Sequence, residues 1–519
     1  MSKLKYFIFF ILILTCQAAW AATGKGTLLY IPLDNRPVCL DYTVATMEAA
    51  GWRVKTPPLE YLACREHVGQ PEKLFAWLEE EAPTSLGMVI SADTLLYGGL
   101  VGSRTHNISL EQLQQRVETL EGLKEKYQKQ LVYVFASIMR SPKMSGAPVE
   151  PDYYRQWGPK LFLLGQLEDK LNSGEISRRE KRELLLLRNK IPSYVLEDMY
   201  SRRGNNLQIT EYLLQGVKKG AYDYVLIGKD DTAPYSQARF EARLLEEKLE
   251  DLPKEKIRFL TGIDQLGLML LTRGANRLQY KIPMVKVFYA PGTGKYTLPS
   301  YEDQLLDITV EEQILAAGGV PVKRERRADL FLAINTPVDG ITMEGSDSCN
   351  DGVVTEEIRE FAKNVQEYLR AHRAVALADV KYGNGGDRGL VQELMNKKIT
   401  WKLASYGGWN TASNTLGFAL AQGMLEPQMS VKDKEELLRI RYLDDWAYQS
   451  QVRYYTYQTL IWPRYWNNSI FSLGQKGIAE RAITRSMRQV AEPLLGREIL
   501  KYKFTLPWSR MFEVKIERR

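Results

Sequence analysis

Nine short apolar runs of strand type, separated by amphipathic stretches of helical period, constrain this chain more than any other feature. The runs are Leu28–Pro32, Met88–Ser91, Leu131–Ala136, Tyr224–Gly228, Ile257–Thr261, Val285–Tyr289, Leu330–Ile334, Ala374–Ala378 and Thr400–Ala404, with Val54–Thr56 as a tenth if so short a run counts. Between them apolar residues recur at three- and four-residue spacing, as in Leu110–Tyr127, Gln237–Leu252 and Glu356–His372, the mark of a helix with one buried face. Strands joined by helical crossovers pair in parallel. The expectation is therefore an α/β fold: a (β/α)8-like barrel with a helical insertion and a helical C-terminal region. Nine or ten strands leave one or two outside such a barrel. The alternative is two doubly wound α/β halves split near Tyr280.

The ends of the chain read differently from its middle. Lys3 and Lys5, the apolar run Tyr6–Leu14 and the small-x-small site Ala19-Trp20-Ala21 form a secretory signal peptide over residues 1–21. Its apolar run is too short to span a bilayer comfortably, so the expectation is an exported protein, periplasmic or secreted, with no stable membrane span after processing. Thr15 before Cys16 fits a lipidation site poorly. Residues 22–425 hold the α/β region, interrupted by a charged helical insertion at 153–220. Residues 426–519 read as mainly helical, with a helix over Leu437–Gln458 and then the aromatic stretch Trp462-Pro463-Arg464-Tyr465-Trp466.

Composition removes several chemistries. The cysteines of the mature chain, Cys39, Cys64 and Cys349, cannot build a disulfide framework and have no CxxC spacing; at most one bridge forms, with Cys39 and Cys64 as the pair. The three histidines, His67, His106 and His372, stand in no HxH or HExxH arrangement, so no metal site and no cofactor is expected from them. The net charge of +7 is spread along the chain, which is not a nucleic-acid footprint. Two glycine-rich stretches, Gly292-Thr293-Gly294-Lys295-Tyr296 and Gly383-Asn384-Gly385-Gly386, lack the spacing of phosphate and dinucleotide loops and read as turns.

What remains is the cargo of the strand ends. Tyr224-Val225-Leu226-Ile227-Gly228-Lys229 drives into Asp230-Asp231, and Pro234 then ends the extended chain. Adjacent carboxylates share one pocket only where the pleat breaks, as it does at a strand end, and such a pair divides acid and base roles when its surroundings separate the two pKa values. The competing reading is that one Asp caps the helix beginning near Ser236. Other strand ends carry Asp34-Asn35-Arg36, Asp93 followed by Tyr97, Arg140, Asp264-Gln265, Asn335-Thr336, Asp379 followed by Tyr382 and Asn384, and Trp409-Asn410 followed by Asn414. Catalytic residues of barrels lie at the C-terminal ends of strands. Aromatic faces beside Asn, Asp and Arg suit a sugar, whose ring faces stack and whose hydroxyls need polar partners. The expected partner is a carbohydrate, an amino sugar in the narrower form.

Two resemblances bear on this. Ile31-Pro32-Leu33-Asp34-Asn35-Arg36-Pro37, Ser91-Ala92-Asp93-Thr94-Leu95-Leu96-Tyr97-Gly98-Gly99-Leu100 and Gly408-Trp409-Asn410-Thr411 resemble an uncharacterised bacterial domain-of-unknown-function family over nearly the whole mature chain. Asp230-Asp231 after a fourth strand, and Trp409-Asn410-Thr411-Ala412-Ser413-Asn414-Thr415, are locally similar to O-GlcNAcase-type β-N-acetylglucosaminidases; Thr415 stands where those enzymes have a sugar-binding Asp, and their first-strand Gly-Phe-Tyr-Gly motif is missing. This second resemblance implies substrate-assisted hydrolysis, an exception to the two-carboxylate scheme. The substrate's acetamido oxygen attacks the anomeric carbon, Asp230 orients the acetamide and Asp231 protonates the leaving oxygen. Tyr289 donates to the attacking oxygen, while Trp409, Asn410 and Asp379 hold the sugar.

Two other functions use the same residues. Asp34, Asp93, Asp230, Asp231 and Asp379 could gather a divalent cation for a phosphate or sulfate ester hydrolase. The same side chains could also serve a carbohydrate-binding protein with no chemistry.

Overall fold

The computed structural model describes residues 24–519 except 144 and 147, so the signal-peptide reading and Cys16 lie outside the described residues. Its strands form two open parallel sheets rather than one closed barrel. The first contains β1 (Thr27–Ile31), β2 (Arg53–Lys55), β3 (Gly87–Ser91), β4 (Leu131–Ile138), β5 (Tyr224–Lys229) and β6 (Ile257–Thr261), in the order β2-β1-β3-β4-β5-β6. The second draws on β7 (Met284–Tyr289), β8 (Val320–Pro321) and β9 (Leu330–Asn335). With β11 (Val375–Asp379) and β13 (Ser405–Gly407) the second sheet runs β13-β11-β9-β7-β8, while β10 (Met343–Glu344) and β12 (Tyr382–Gly383) form a separate short parallel pair. Both sheets begin in the middle, step one strand to one side and then grow to the other. Each is doubly wound, and the chain passes from the first to the second between Thr261 and Met284, around Tyr280.

Strand periodicity explains the layering. In β1, Leu28 and Tyr30 face a core shared by both sheets, while Leu29 and Ile31 face an outer core against helices Leu110–Lys126 and Ser193–Lys218. In β9, Leu330, Leu332 and Ile334 join the shared core, and Phe331 and Ala333 point to a third core on the far side. The middle layer needs helices without a polar face. Helix Ala412–Leu425 is buried at every position, and Leu266–Leu278 at all but three. A closed barrel would instead have needed one strand set hydrogen-bonded all round and filled by its own side chains.

The insertion is three helices, Tyr154–Asn172, Arg178–Lys190 and Ser193–Lys218; the first two and the start of the third build a small core of their own. The C-terminal region is helical up to about residue 501 and then closes with an antiparallel pair, β14 (Tyr502–Thr505) and β15 (Lys515–Arg518), which the mainly helical reading missed. The run Thr400–Ala404 is also displaced: Thr400–Lys402 is a 3-10 turn and the strand follows it. Cys39, Cys64 and Cys349 are free thiols, so the Cys39–Cys64 bridge is not formed. No helix among the described residues is long and apolar enough to cross a membrane.

Candidate active site

The C-terminal ends of the two sheets meet. At the end of β6, Thr261 shares a hydroxyl hydrogen bond with Ser413, and the Asp264 N–H donates to Asn414 Oδ1 at 3.1 Å. At the end of β5, Lys229 Nζ bonds both oxygens of Asp303 at 2.7 and 2.8 Å, and the Thr232 N–H donates to the Tyr301 carbonyl. Side-chain alternation therefore aims Lys229 at the second half and away from the carboxylates that follow it.

Asp230 and Asp231 turn to opposite arginines. Arg104 Nη2 donates to Asp230 Oδ2 at 2.5 Å, and Arg140 Nη1 to Asp231 Oδ2 at 2.8 Å. Glu150 joins the two cations, accepting from Arg104 at 3.2 Å and from Arg140 at 2.8 Å. Neither Asp caps the following helix, because the Ser236 hydroxyl takes that place by accepting from the Arg239 N–H. Asp231 has φ +33°, a left-handed value, and such strain persists only where the surroundings over-determine it. The two carboxylates differ in exposure: the Asp230 side chain is 8 % exposed, the Asp231 side chain 25 %. Burial, and then the charge of Asp230, push the Asp231 carboxyl above the ordinary aspartate range, against the pull of Arg140. Behind them Asp93, fully enclosed, accepts from the Ser137 N–H and hydroxyl at 2.8 Å each, and burial pushes it up to about 6.

A second charged knot joins the halves at the end of β1. Arg36 Nε bonds both oxygens of Asp34 at 3.0 and 2.8 Å, and its Nη2 reaches Asp264 Oδ1 at 2.5 Å. Asn410 Nδ2 donates to the other Asp264 oxygen at 3.3 Å. Asn35 Oδ1 accepts from Trp508 Nε1 at 2.7 Å, and the Arg36 guanidinium lies 5.6 Å from the centre of the Trp508 ring. Burial opposes the Arg36 charge, but Asp264 and Asp34 outweigh it. Asp34, Asn35, Arg36, Asn410 and Asn414 are thus brought together around Asp264, with Asp34, Arg36, Asp264 and Asn414 buried.

The second half contributes residues that no strand end announced. Glu344 accepts from the Tyr301 hydroxyl at 2.7 Å and from Asn384 Nδ2 at 2.9 Å. Burial raises the Tyr301 phenol, with the hydrogen bond to Glu344 and the charges of Glu344 and Asp231 adding to it and Arg453 opposing. Tyr301 thus meets Glu344 through its hydroxyl and Thr232, the residue after Asp231, through its carbonyl. Asn384 and Asn410 have φ +56° and +64°, and the Asn384 N–H donates to the Asn410 carbonyl at 2.8 Å. The π-helical stretch Tyr442–Val452 fixes these loops: Asp445 Oδ2 accepts from the Gly408 N–H at 2.7 Å and its carbonyl from the Gly386 N–H at 2.9 Å.

Other expected site residues serve the interior. Trp409 is 2 % exposed, with its ring edge-on to Phe418 and Phe512, so no face is open to a sugar; it follows a strand, but the shared core claims its apolar area. Tyr97 is buried and stacks on His106 with ring centres 4.8 Å apart. Asp379 is enclosed by Asn335, Tyr406 and the Asp387 N–H, and burial and the Asp387 charge push it up to about 7. Tyr382 donates to the Cys349 carbonyl at 3.3 Å, and Tyr289 is half-buried against the shared core without a partner at the carboxylates. Both glycine stretches are turns: Gly292, Gly294 and Gly385 take positive φ, and a Cβ on Gly292 would lie 2.5 Å from the Val338 carbonyl oxygen. Among the described residues no three His, Cys, Asp or Glu side chains gather as a metal-ligand set. Arg104, Glu150, Tyr301, Glu344, Arg453 and Trp508 were not expected; they sit on a helix, in loops, on the two-residue strand β10 and in the C-terminal region, where no local pattern marks them.

The model of a family of proteins of unknown function, DUF4127, matches residues 28–517, and the chain belongs to that family. No curated protein and no solved structure matches it.

Proposed function

We propose that this member of the DUF4127 family is an exported glycoside hydrolase in which Asp231 is the proton donor. The observation that carries the reading is the unequal environment of the two adjacent carboxylates. Asp230 is locked on Arg104, while Asp231 is partly exposed and raised by burial and by the charge of Asp230. A carboxyl held protonated nearer neutral pH is what donation to a glycosidic oxygen requires. The charge of Asp230 raises the Asp231 carboxyl, and Arg140 steadies the anion left once the proton has gone. Glu344, across Tyr301, supplies the second carboxylate of a two-carboxylate scheme. Asn384 and Asn410, half-buried on loops held in left-handed conformations, offer amide groups to sugar hydroxyls. The narrower reading, in which Asp230 orients a 2-acetamido group, predicts that N-acetylated glycosides are cleaved and their non-acetylated counterparts are not. The basic and apolar pattern of residues 1–21 supports export.

The test is a panel of aryl glycosides, with and without the 2-acetamido group and with graded leaving groups, on wild type and Asp231→Asn, each with and without chelator. Cleavage that Asp231→Asn slows most on poor leaving groups, and that chelator leaves intact, supports the reading. A wild type inert on every member refutes it. Chelator-sensitive activity transfers the site to a metal-dependent esterase.

A further inference from the structure

The helical insertion presents a face that the proposed site does not use. Helix Arg178–Lys190 turns Leu184 and Leu187 into the insertion's own core, with Leu161, Leu164 and Val195. The two leucines between them point outward, Leu185 61 % exposed and Leu186 69 %. Residues three and four apart are neighbours on a helix, so Lys181 and Arg182 stand one turn before this doublet and Arg188, Asn189 and Lys190 one turn after it. The helix carries six cations (Arg178, Arg179, Lys181, Arg182, Arg188 and Lys190) against two carboxylates, Glu180 and Glu183. Glu180 is already used, by the helix cap at Ser177 and by Lys170 at 2.6 Å, and Arg188 is paired with Glu168 at 2.8 Å. Among the described residues the other five cations make no ion pair.

We propose that this face lies on an anionic lipid surface, with Leu185 and Leu186 entering the headgroup boundary and the flanking arginines and lysines on lipid phosphates. A basic helix with an exposed apolar stripe is the chemistry that binds such a surface, and each cation near it contributes about fivefold. A second copy of the chain fits less well, because closing two such faces on each other would oppose two sets of unpaired cations. The surface is independent of the hydrolase reading.

The experiment is sedimentation of the full chain with vesicles of phosphatidylcholine alone and of phosphatidylcholine with phosphatidylglycerol. Two variants are compared with wild type: Leu185→Ser/Leu186→Ser, and Arg178→Gln/Arg179→Gln/Lys181→Gln/Arg182→Gln. All the substituted side chains are exposed, so both variants should keep the wild-type melting transition. Wild type should favour the anionic vesicles, less so at raised salt; each variant should bind the anionic vesicles at least tenfold more weakly than wild type, and the arginine and lysine variant should also lose the preference. The apolar N-terminal stretch is common to all three chains and cancels in the comparison. No preference for anionic vesicles, or variants that bind as wild type does, would overturn the proposal. So would a wild-type dimer that the leucine variant splits, since that assigns the face to a second copy.

Discussion

Replacing Glu302 by Gln tests how the two halves are joined. Glu302 is 2 % exposed, its Oε1 accepts from the Ser413 N–H at 2.5 Å and its Oε2 from the Thr261 hydroxyl at 3.3 Å, so one carboxyl ties the end of the first sheet to the central helix. Burial pushes it from 4.5 to about 7, with the Asp303 charge adding and the hydrogen bonds opposing. A carboxyl whose folded value is raised gives stability that is full below the unfolded value and lost as pH climbs through the folded one. The window therefore runs from about pH 4.5 to about pH 7, and the gap corresponds to about 3 kcal/mol. Glutamine matches the shape of the protonated acid and carries no charge at any pH. Urea unfolding followed by tryptophan fluorescence, at a series of values between about pH 5 and about pH 8, reads the difference. Stability of Glu302→Gln relative to wild type should rise by about 2–3 kcal/mol across that range. Asp93, Asp379, Asp444 and Asp445 are also raised, but they titrate alike in both chains and drop out. Parallel stability curves would refute the reasoning.

Asp231→Asn should cost about 10²–10⁴-fold in turnover on glycosides with poor leaving groups; because Asp231 is raised, wild-type activity should fall as pH climbs through its value, measured as a pH–rate profile with an activated aryl glycoside. Arg36→Leu strands the buried Asp34 and Asp264 charges and should destabilise the fold by about 3–5 kcal/mol, read as a shift in the urea midpoint, whereas a neutral outcome would mean that the knot is solvated. Alkylation with peptide mapping should label the exposed Cys349 in the native protein and Cys39 only after unfolding, its thiol being buried and pushed up; recovery of a Cys39–Cys64 peptide would reinstate the bridge.

The sequence determined the elements, because each depends on neighbours along the chain. Period-two and three-to-four-residue apolar spacing located eight of the nine proposed strands and the insertion, and the tenth, doubtful run became β2. Thr400–Ala404 went astray because a short apolar run before a glycine pair reads alike as strand or turn. The place of Asp230-Asp231 at the end of β5 was legible for the same local reason, but their turning to Arg104 and Arg140 was not. What the tertiary structure alone decided is how the strands close, since strands buried on both faces look the same in a barrel and in a doubly wound sheet, and the order in which they pair is written nowhere along the chain. It also decided which polar residues the rim keeps. Trp409 went to the shared core, Asp379 to an inner network, and Arg104, Glu150 and Glu344 arrived from segments far away in sequence. A charge's partners, and hence its pKa, are set by distance in space rather than by distance along the chain.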